Sequence, residues 1–179
     1  QKADLTPNEQ YAYMSMWSLM AAPLIYGGEM ARLDAFTLNV LCNNEVIDVN
    51  QDILGKQAKI IRATKEELIM TKELEDGSSA VGLFSVSGDA NTSVMDLVDE
   101  EANGLSDAKR ELSDPADNFV WDETPLPAKI TLRASELNIS GKFSVRDLWR
   151  QKDLGIFEGS FTTEVPFHGV KLLKITEVE

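Results

Sequence analysis

The chain has 179 residues, of which 43% are hydrophobic and 26% charged, with a formal charge of −13. That composition suits a soluble globular fold and argues against disorder and a membrane-embedded fold, while the acidic excess opposes phosphate backbones and makes nucleic acid a poor partner. One cysteine, Cys42, and one histidine, His168, exclude an internal disulfide, a multi-cysteine metal site and a His-rich zinc site, and no cofactor is implied.

The first fifty residues read as helical. Thr6-Pro7-Asn8-Glu9 combines an N-cap hydroxyl, a proline at the first helical position and a glutamate three residues on, the pattern of a capping box. Tyr13, Met16, Trp17 and Met20 then recur at helical steps and set bulky apolar groups on one face, until Pro23 stops the pattern. Pro23-Leu24-Ile25-Tyr26 ahead of Gly27-Gly28 suits a buried strand. Leu33, Phe36, Val40 and Leu41 mark a second amphipathic helix, which Asn43-Asn44 interrupts before a last turn around Glu45 to Val49. Helix, buried strand, helix is the rhythm of an α/β barrel, of which one unit cannot close the ring. The Trp17 and Met20 face therefore calls for a further partner.

From Gly55 the period changes to alternation. Residues 59–63, 68–72, 80–86, 130–134, 143–148, 157–163 and 170–175 read as strands, separated by turn signals such as Glu75-Asp76-Gly77 and Ser140-Gly141. Short strands with little helix between them favour an antiparallel sandwich, with Ile130 and Leu132 facing its core and Lys129, Thr131 and Arg133 facing solvent. Between about 88 and 127 the pattern lapses. Eleven carboxylates there, against Lys109 and Arg110, carry −9 of the chain's −13. The stretch reads as an acidic loop excursion, tacked down by residues such as Trp121, with a short helix expected from Val94 to Glu101.

Three stretches resemble one family. Leu5 to Gln10 with Met16-Trp17-Ser18-Leu19-Met20-Ala21-Ala22-Pro23-Leu24 is similar to the seventh barrel helix and eighth barrel strand of family-27 glycoside hydrolases. Val46-Ile47-Asp48-Val49-Asn50-Gln51-Asp52, followed by Leu54-Gly55-Lys56-Gln57, resembles the passage from their barrel into a C-terminal domain, and is the most specific of the three. Ser144-Val145-Arg146-Asp147-Leu148-Trp149 with His168-Gly169-Val170-Lys171-Leu172-Leu173 looks like the end of that domain. The resemblance covers nearly the whole chain except 88–127, where the family has a short turn.

That resemblance implies an α+β fragment: residues 1–54 as the last βα unit of a (β/α)8 barrel, and 55–179 as an all-β antiparallel sandwich carrying the acidic insertion. It implies the scaffold portion of a retaining exo-glycosidase that removes terminal α-linked galactose, with a carbohydrate substrate reached through the parent enzyme. The partner within that enzyme is the N-terminal barrel portion; neither nucleic acid nor membrane is expected as a partner. Retention needs two carboxyl groups ~5–5.5 Å apart, and in the family these follow motifs upstream of the matched region, so no catalytic, cofactor-binding or metal-binding residue is carried over and the chain alone is expected to be inactive. Tyr26, Gly27, Gly28 and Glu29 follow the expected barrel strand, where loops face the active site, and are expected at its rim. The other reading is a non-catalytic carbohydrate-binding or interaction module, since sandwiches host many binding functions. The family points to an extracytoplasmic setting. The opening Gln1 to Leu5 lacks the hydrophobic core of a signal peptide, so either the protein is cytoplasmic or its beginning lies further upstream.

Other chemistry-bearing residues have structural readings. Val120-Trp121-Asp122-Glu123 has the parts of a sugar site but reads as a loop fastening, and Asp99-Glu100-Glu101 lacks the ligand spacing of a calcium loop. Asp48, Asn50 and Asp52 are expected to cap a helix or bond backbone amides in a turn. Asp147 reads as an exposed strand residue near an arginine, and His168 as a turn residue.

Overall fold

A computed structural model describes residues 5–86 and 126–178. The helical part comes first: α1 (Pro7–Leu19), a 3-10 turn (Met30–Arg32), α2 (Ala35–Leu41) and α3 (Asn44–Asn50). Eight strands follow: β1 (Lys59–Ala63), β2 (Glu67–Glu73), β3 (Ser79–Ser85), β4 (Ala128–Arg133), β5 (Lys142–Asp147), β6 (Lys152–Glu158), β7 (Ser160–Val165) and β8 (Val170–Val178), with a second 3-10 turn (Ala134–Leu137) after β4. All strand pairs are antiparallel. A six-stranded sheet runs β1-β2-β3-β8-β5-β6, and β4 pairs with β7 in a second sheet of two strands.

The result is three layers: helices, six-stranded sheet, two-stranded sheet. Strands buried on both faces lose the clean alternation of half-buried ones, and β3 is buried from Ala80 to Ser85. Its Ala80 and Phe84 face the helices, whereas Val81 and Leu83 face the sandwich interior. On β4, Ile130 and Leu132 are buried while Lys129 and Arg133 are exposed and Thr131 is half-buried, as the alternation predicts. The acidic excursion, with its expected Val94 to Glu101 helix, Asp99-Glu100-Glu101 and Val120-Trp121-Asp122-Glu123, lies outside the described residues.

α1 starts as its sequence dictates. The Glu9 backbone N–H donates to Thr6 Oγ1 at 3.3 Å, and Thr6 N donates to Glu9 Oε2 at 2.7 Å. Its buried side, however, is not the bulky one. Met14, Ser15, Ser18 and Leu19 are buried, whereas Tyr13 and Trp17 are 56% and 37% exposed. Small residues bring this helix close to the sheet. Leu19 lies over Gly82 so tightly that a Cβ there would stand 2.6 Å from Leu19 Cδ1.

Three expectations change. Pro23 to Tyr26 form no strand, and Ile25 is 87% exposed. A strand persists only where a neighbour shares its backbone hydrogen bonds, and neither sheet places one beside this segment. The single strand expected over 157–163 is two, because Gly159, at φ +74°, turns the chain out of β6 in one sheet and into β7 in the other. β6 itself was hidden in the sequence: it is an edge strand, exposed from Lys152 to Ile156, and carries no alternating signal.

Candidate functional site

The segment expected at an active-site rim is open to solvent. Tyr26, Gly27, Gly28 and Glu29 lie in an irregular stretch between α1 and the first 3-10 turn, all exposed. The Tyr26 ring folds back over Gly28, where a Cβ would stand 2.2 Å from the phenol oxygen, so a residue with no side chain is what lets the ring lie down. Glu29 pairs with Arg32 at 3.1 Å, an exposed contact worth only a few tenths of a kcal/mol. Around them the helical layer exposes much apolar surface: Met30 is 73%, Ile53 82% and Leu38 42% exposed.

Polar chemistry gathers instead where the helices meet the sheet. The buried Asn50 donates its side-chain amide to the Trp17 and Ala22 carbonyls, at 3.3 and 2.8 Å. The Trp17 carbonyl also accepts from the Ala22 N–H at 3.1 Å, so Asn50 ties together both ends of the turn that leaves α1. Asn50 thus serves carbonyls rather than the amides expected from sequence. Asp52 does bond amides, accepting from Leu54 N at 3.1 Å and, across the layer boundary, from Glu75 N at 2.9 Å. Asp48 stands exposed on α3, on a cleft of about 350 Å³ between that helix and the β2–β3 turn.

Lys72 is a residue that sequence reasoning misses. It is fully buried, and its Nζ donates to the Val49 carbonyl in the last turn of α3, where a cation complements the helix dipole. Burial pushes its ammonium pKa down, and the Asp52 carboxylate opposes that shift. The available signal is its phase: Lys72 follows Leu68 and Met70 at two-residue steps on β2, on the side that packs on the helices, and a buried lysine needs a partner.

Further side chains complete the girdle. Arg146 forks onto Glu45, Nε to Oε2 at 2.9 Å and Nη2 to Oε1 at 2.7 Å; these bonds, first of all causes, raise the Arg146 pKa above the usual range. Trp149 Nε1 donates to Ser15 Oγ at 2.8 Å, and its ring meets Tyr11 edge-on at 4.7 Å. Asn43 donates to the Leu148 carbonyl at 3.1 Å. His168, in a turn at φ +51° as expected of a turn residue, sets Nδ1 3.2 Å from Glu9 Oε1. The Thr6 backbone N–H, then its hydroxyl, hold the Glu9 carboxyl below the usual carboxylate range, with His168 adding to the effect. Asp147 is not exposed. It is 1% accessible, accepts from the Arg150 N–H at 3.1 Å and meets Arg150 and Lys171 at 3.3 and 3.4 Å. Its position as the last residue of β5 turns it inward to close the following turn.

These groups bond one another and backbone carbonyls, which fixes how the helical layer sits on the sheet. Among the described residues no three His, Cys, Asp or Glu side chains converge as metal ligands.

Comparison with known proteins matches two stretches of the chain. Residues 2–52 match the family model "Alpha galactosidase A", and residues 118–175 match "Alpha galactosidase C-terminal beta sandwich domain". A Dictyostelium discoideum protein described as "Probable alpha-galactosidase" is 30% identical over 176 residues, covering 96% of this chain and 37% of its own length. The crystal structure of α-galactosidase I from Mortierella vinacea superposes with a TM-score of 0.73 at 25% identity, over 97% of this chain and 36% of that one. A β-L-arabinopyranosidase from Geobacillus stearothermophilus, at 21% identity and a TM-score of 0.74 over 99% of this chain and 32% of that one, shares the fold. The chain thus spans about a third of the length of these relatives.

Proposed function

This chain is the C-terminal part of a family-27 glycoside hydrolase, and we propose that the parent enzyme is a retaining exo-α-galactosidase in which residues 1–54 complete a (β/α)8 barrel and residues 55–179 form the sandwich that supports it. The observation that carries this reading is the order of the two matches, the enzyme model over residues 2–52 and the sandwich model over residues 118–175. The structure adds a physical reason for a larger parent. The helical layer is bound to the sheet on one side, yet exposes Trp17, Ile25 and Met30, and soluble proteins rarely leave large apolar surface uncovered without use.

On this reading the division of labour follows from the geometry. Substrate, terminal α-linked galactose, meets the parent's barrel, where two carboxyl groups ~5–5.5 Å apart supply nucleophile and acid/base. Tyr26, Gly27, Gly28 and Glu29 shape the rim of that site. Asn50, Asp52 and Lys72 fix the angle at which the rim-bearing segment leaves the sandwich, and small displacements of a substrate-positioning element cost rate steeply.

The test is hydrolysis of an aryl α-galactoside. The parent enzyme is expected to turn it over and to release α-galactose first, read by proton NMR of the anomers, while residues 1–179 alone show no turnover above buffer. Turnover by the chain alone at an enzyme-like rate, or a parent inert toward α-galactosides, overturns the proposal.

A further inference from the structure

We infer that Asn138 is an attachment site for an N-linked glycan. Among the described residues, Asn138-Ile139-Ser140 is the one Asn-x-Ser/Thr triplet, the acceptor sequence for N-linked sugar in proteins made within the secretory pathway. The triplet lies at the surface, as an acceptor must. Asn138 caps the second 3-10 turn at φ 59° and ψ 26°, a left-handed conformation that asparagine tolerates better than most residues. Its backbone N–H goes to the Ala134 and Ser135 carbonyls. Residue Asn138 is exposed, and no hydrogen bond to a described residue holds its side-chain amide. Ser140 is exposed as well.

The surroundings suit the sugar. Residues on both sides of Asn138 line a cleft of about 440 Å³ whose walls include Arg133, Ser135, Ile139, Ser140 and Ser160. Serine hydroxyls and a guanidinium can bond the hydroxyl and acetamido groups of a first N-acetylglucosamine, and Ile139 offers an apolar surface to its ring face. The turn follows β4 in the two-stranded sheet and packs, through Ala134, Leu137 and Ile139, on the opposite side of the six-stranded sheet from the helices. A glycan there leaves the helical layer clear.

The transfer balances with one co-reactant, a lipid-linked oligosaccharide diphosphate. Asn138 Nδ2 forms a bond to the anomeric carbon of N-acetylglucosamine, the bond from that carbon to the diphosphate oxygen breaks, the lipid diphosphate leaves, and Nδ2 gives up one proton. The site stands on local geometry and not on the proposed activity, so α-galactoside hydrolysis measured in parallel separates failure of the one from failure of the other.

The experiment directs the full chain, behind an added leader, into the endoplasmic reticulum of a eukaryotic host. The secreted protein is digested and the Asn138 peptide read by mass spectrometry before and after peptide N-glycosidase, which converts a glycosylated asparagine to aspartate. A hexosamine-bearing Asn138 peptide is expected, lost completely in Ser140→Ala, a change that leaves the Asn138 backbone untouched, and restored in Ser140→Thr. Asn138→Gln should also abolish it, although a longer side chain at positive φ is strained there. Asn91-Thr92-Ser93, a second acceptor triplet outside the described residues, falls on a different peptide and is scored separately. An unmodified Asn138 in secreted wild-type protein overturns the inference, as does a modified Asn138 peptide that survives Ser140→Ala.

Discussion

The two faces of the six-stranded sheet bury comparable sets of side chains and close in different ways. Toward β4 and β7 the interior is built from apolar residues such as Phe143, Leu173, Ile130 and Leu132, with a half-buried charged cluster where Arg62 donates to Glu136 at 2.8 Å and to the Thr131 carbonyl. Toward the helices an apolar cluster of Leu19, Val46, Met70 and Leu172 is ringed by Lys72, Asn50, Asp52, Trp149 and the Arg146–Glu45 fork. Hydrophobic burial is non-directional, whereas hydrogen bonds and forked ion pairs are tied to geometry. The first face sets stability. The second also sets the angle of a layer that has another apolar side still open.

The largest effect expected from this contrast is on the more apolar face. Phe143→Ala removes a fully buried ring and should cost about 3–5 kcal/mol, with a single urea transition moving for probes in both layers. Separate transitions for helices and strands would break the comparison. Next, Lys72→Met leaves the Val49 carbonyl without its donor and should cost about 1–3 kcal/mol at neutral pH. The sign of its pH dependence is set by burial, which lowers the folded-state pKa from 10.5. Burying the charged ammonium weakens the fold at neutral pH, and that cost is relieved as pH rises toward the unfolded value. Wild type should therefore gain on Lys72→Met between neutral pH and about 10.5, as read by urea midpoints; a constant gap would remove the buried charge from the account. Gly82→Val drives a side chain into Leu19 and should cost about 1–3 kcal/mol, loosening α1 before the strands in hydrogen exchange.

Smaller effects sharpen the picture. Trp149→Phe keeps the ring against Tyr11 but removes the bond to Ser15, a loss of about 0.5–1.5 kcal/mol by thermal denaturation. Asp76, held at a pKa of about 2 first by the Lys174 bond and then by Ser78, contributes stability that is present above its ordinary value near 3.8 and lost as pH falls toward 2. The group is half exposed, so screening keeps this below ~1 kcal/mol. Asp76→Asn should flatten acid unfolding in that window, and an unchanged curve would assign the acid transition elsewhere.

What could be read in the sequence follows the same division. Capping at Thr6, the switch from helical to alternating period near Gly55, and the inward set on β4 were legible because each is a local rule acting on adjacent residues. The buried side of α1 was not: it is chosen by Ser15, Ser18 and Leu19 fitting over Gly82 and beneath Trp149, partners distant in sequence. Tyr13 and Trp17 dominate the pattern but face outward. Asp147 was misplaced because an acid between Arg146 and Leu148 looks exposed until Lys171 is known to lie beside it. Pro23 to Tyr26 has a barrel strand's composition, but composition cannot supply the neighbouring strands. Tyr26, Gly27, Gly28 and Glu29 lie together only because they are adjacent in the chain, and nothing beside them in the described residues tests a role at a rim.

The helical layer has one side committed to the sheet and one side open to solvent, and on the proposed function the open side meets the rest of a barrel. Hydroxyl-radical footprinting of residues 1–179 and of the parent enzyme tests it residue by residue. Tyr13, Trp17, Ile25 and Met30 are expected to be labelled strongly in the isolated chain and protected in the parent, while Met14 and Leu19, already buried, stay unlabelled in both. Equal labelling of Trp17, Ile25 and Met30 in the two proteins would contradict the account.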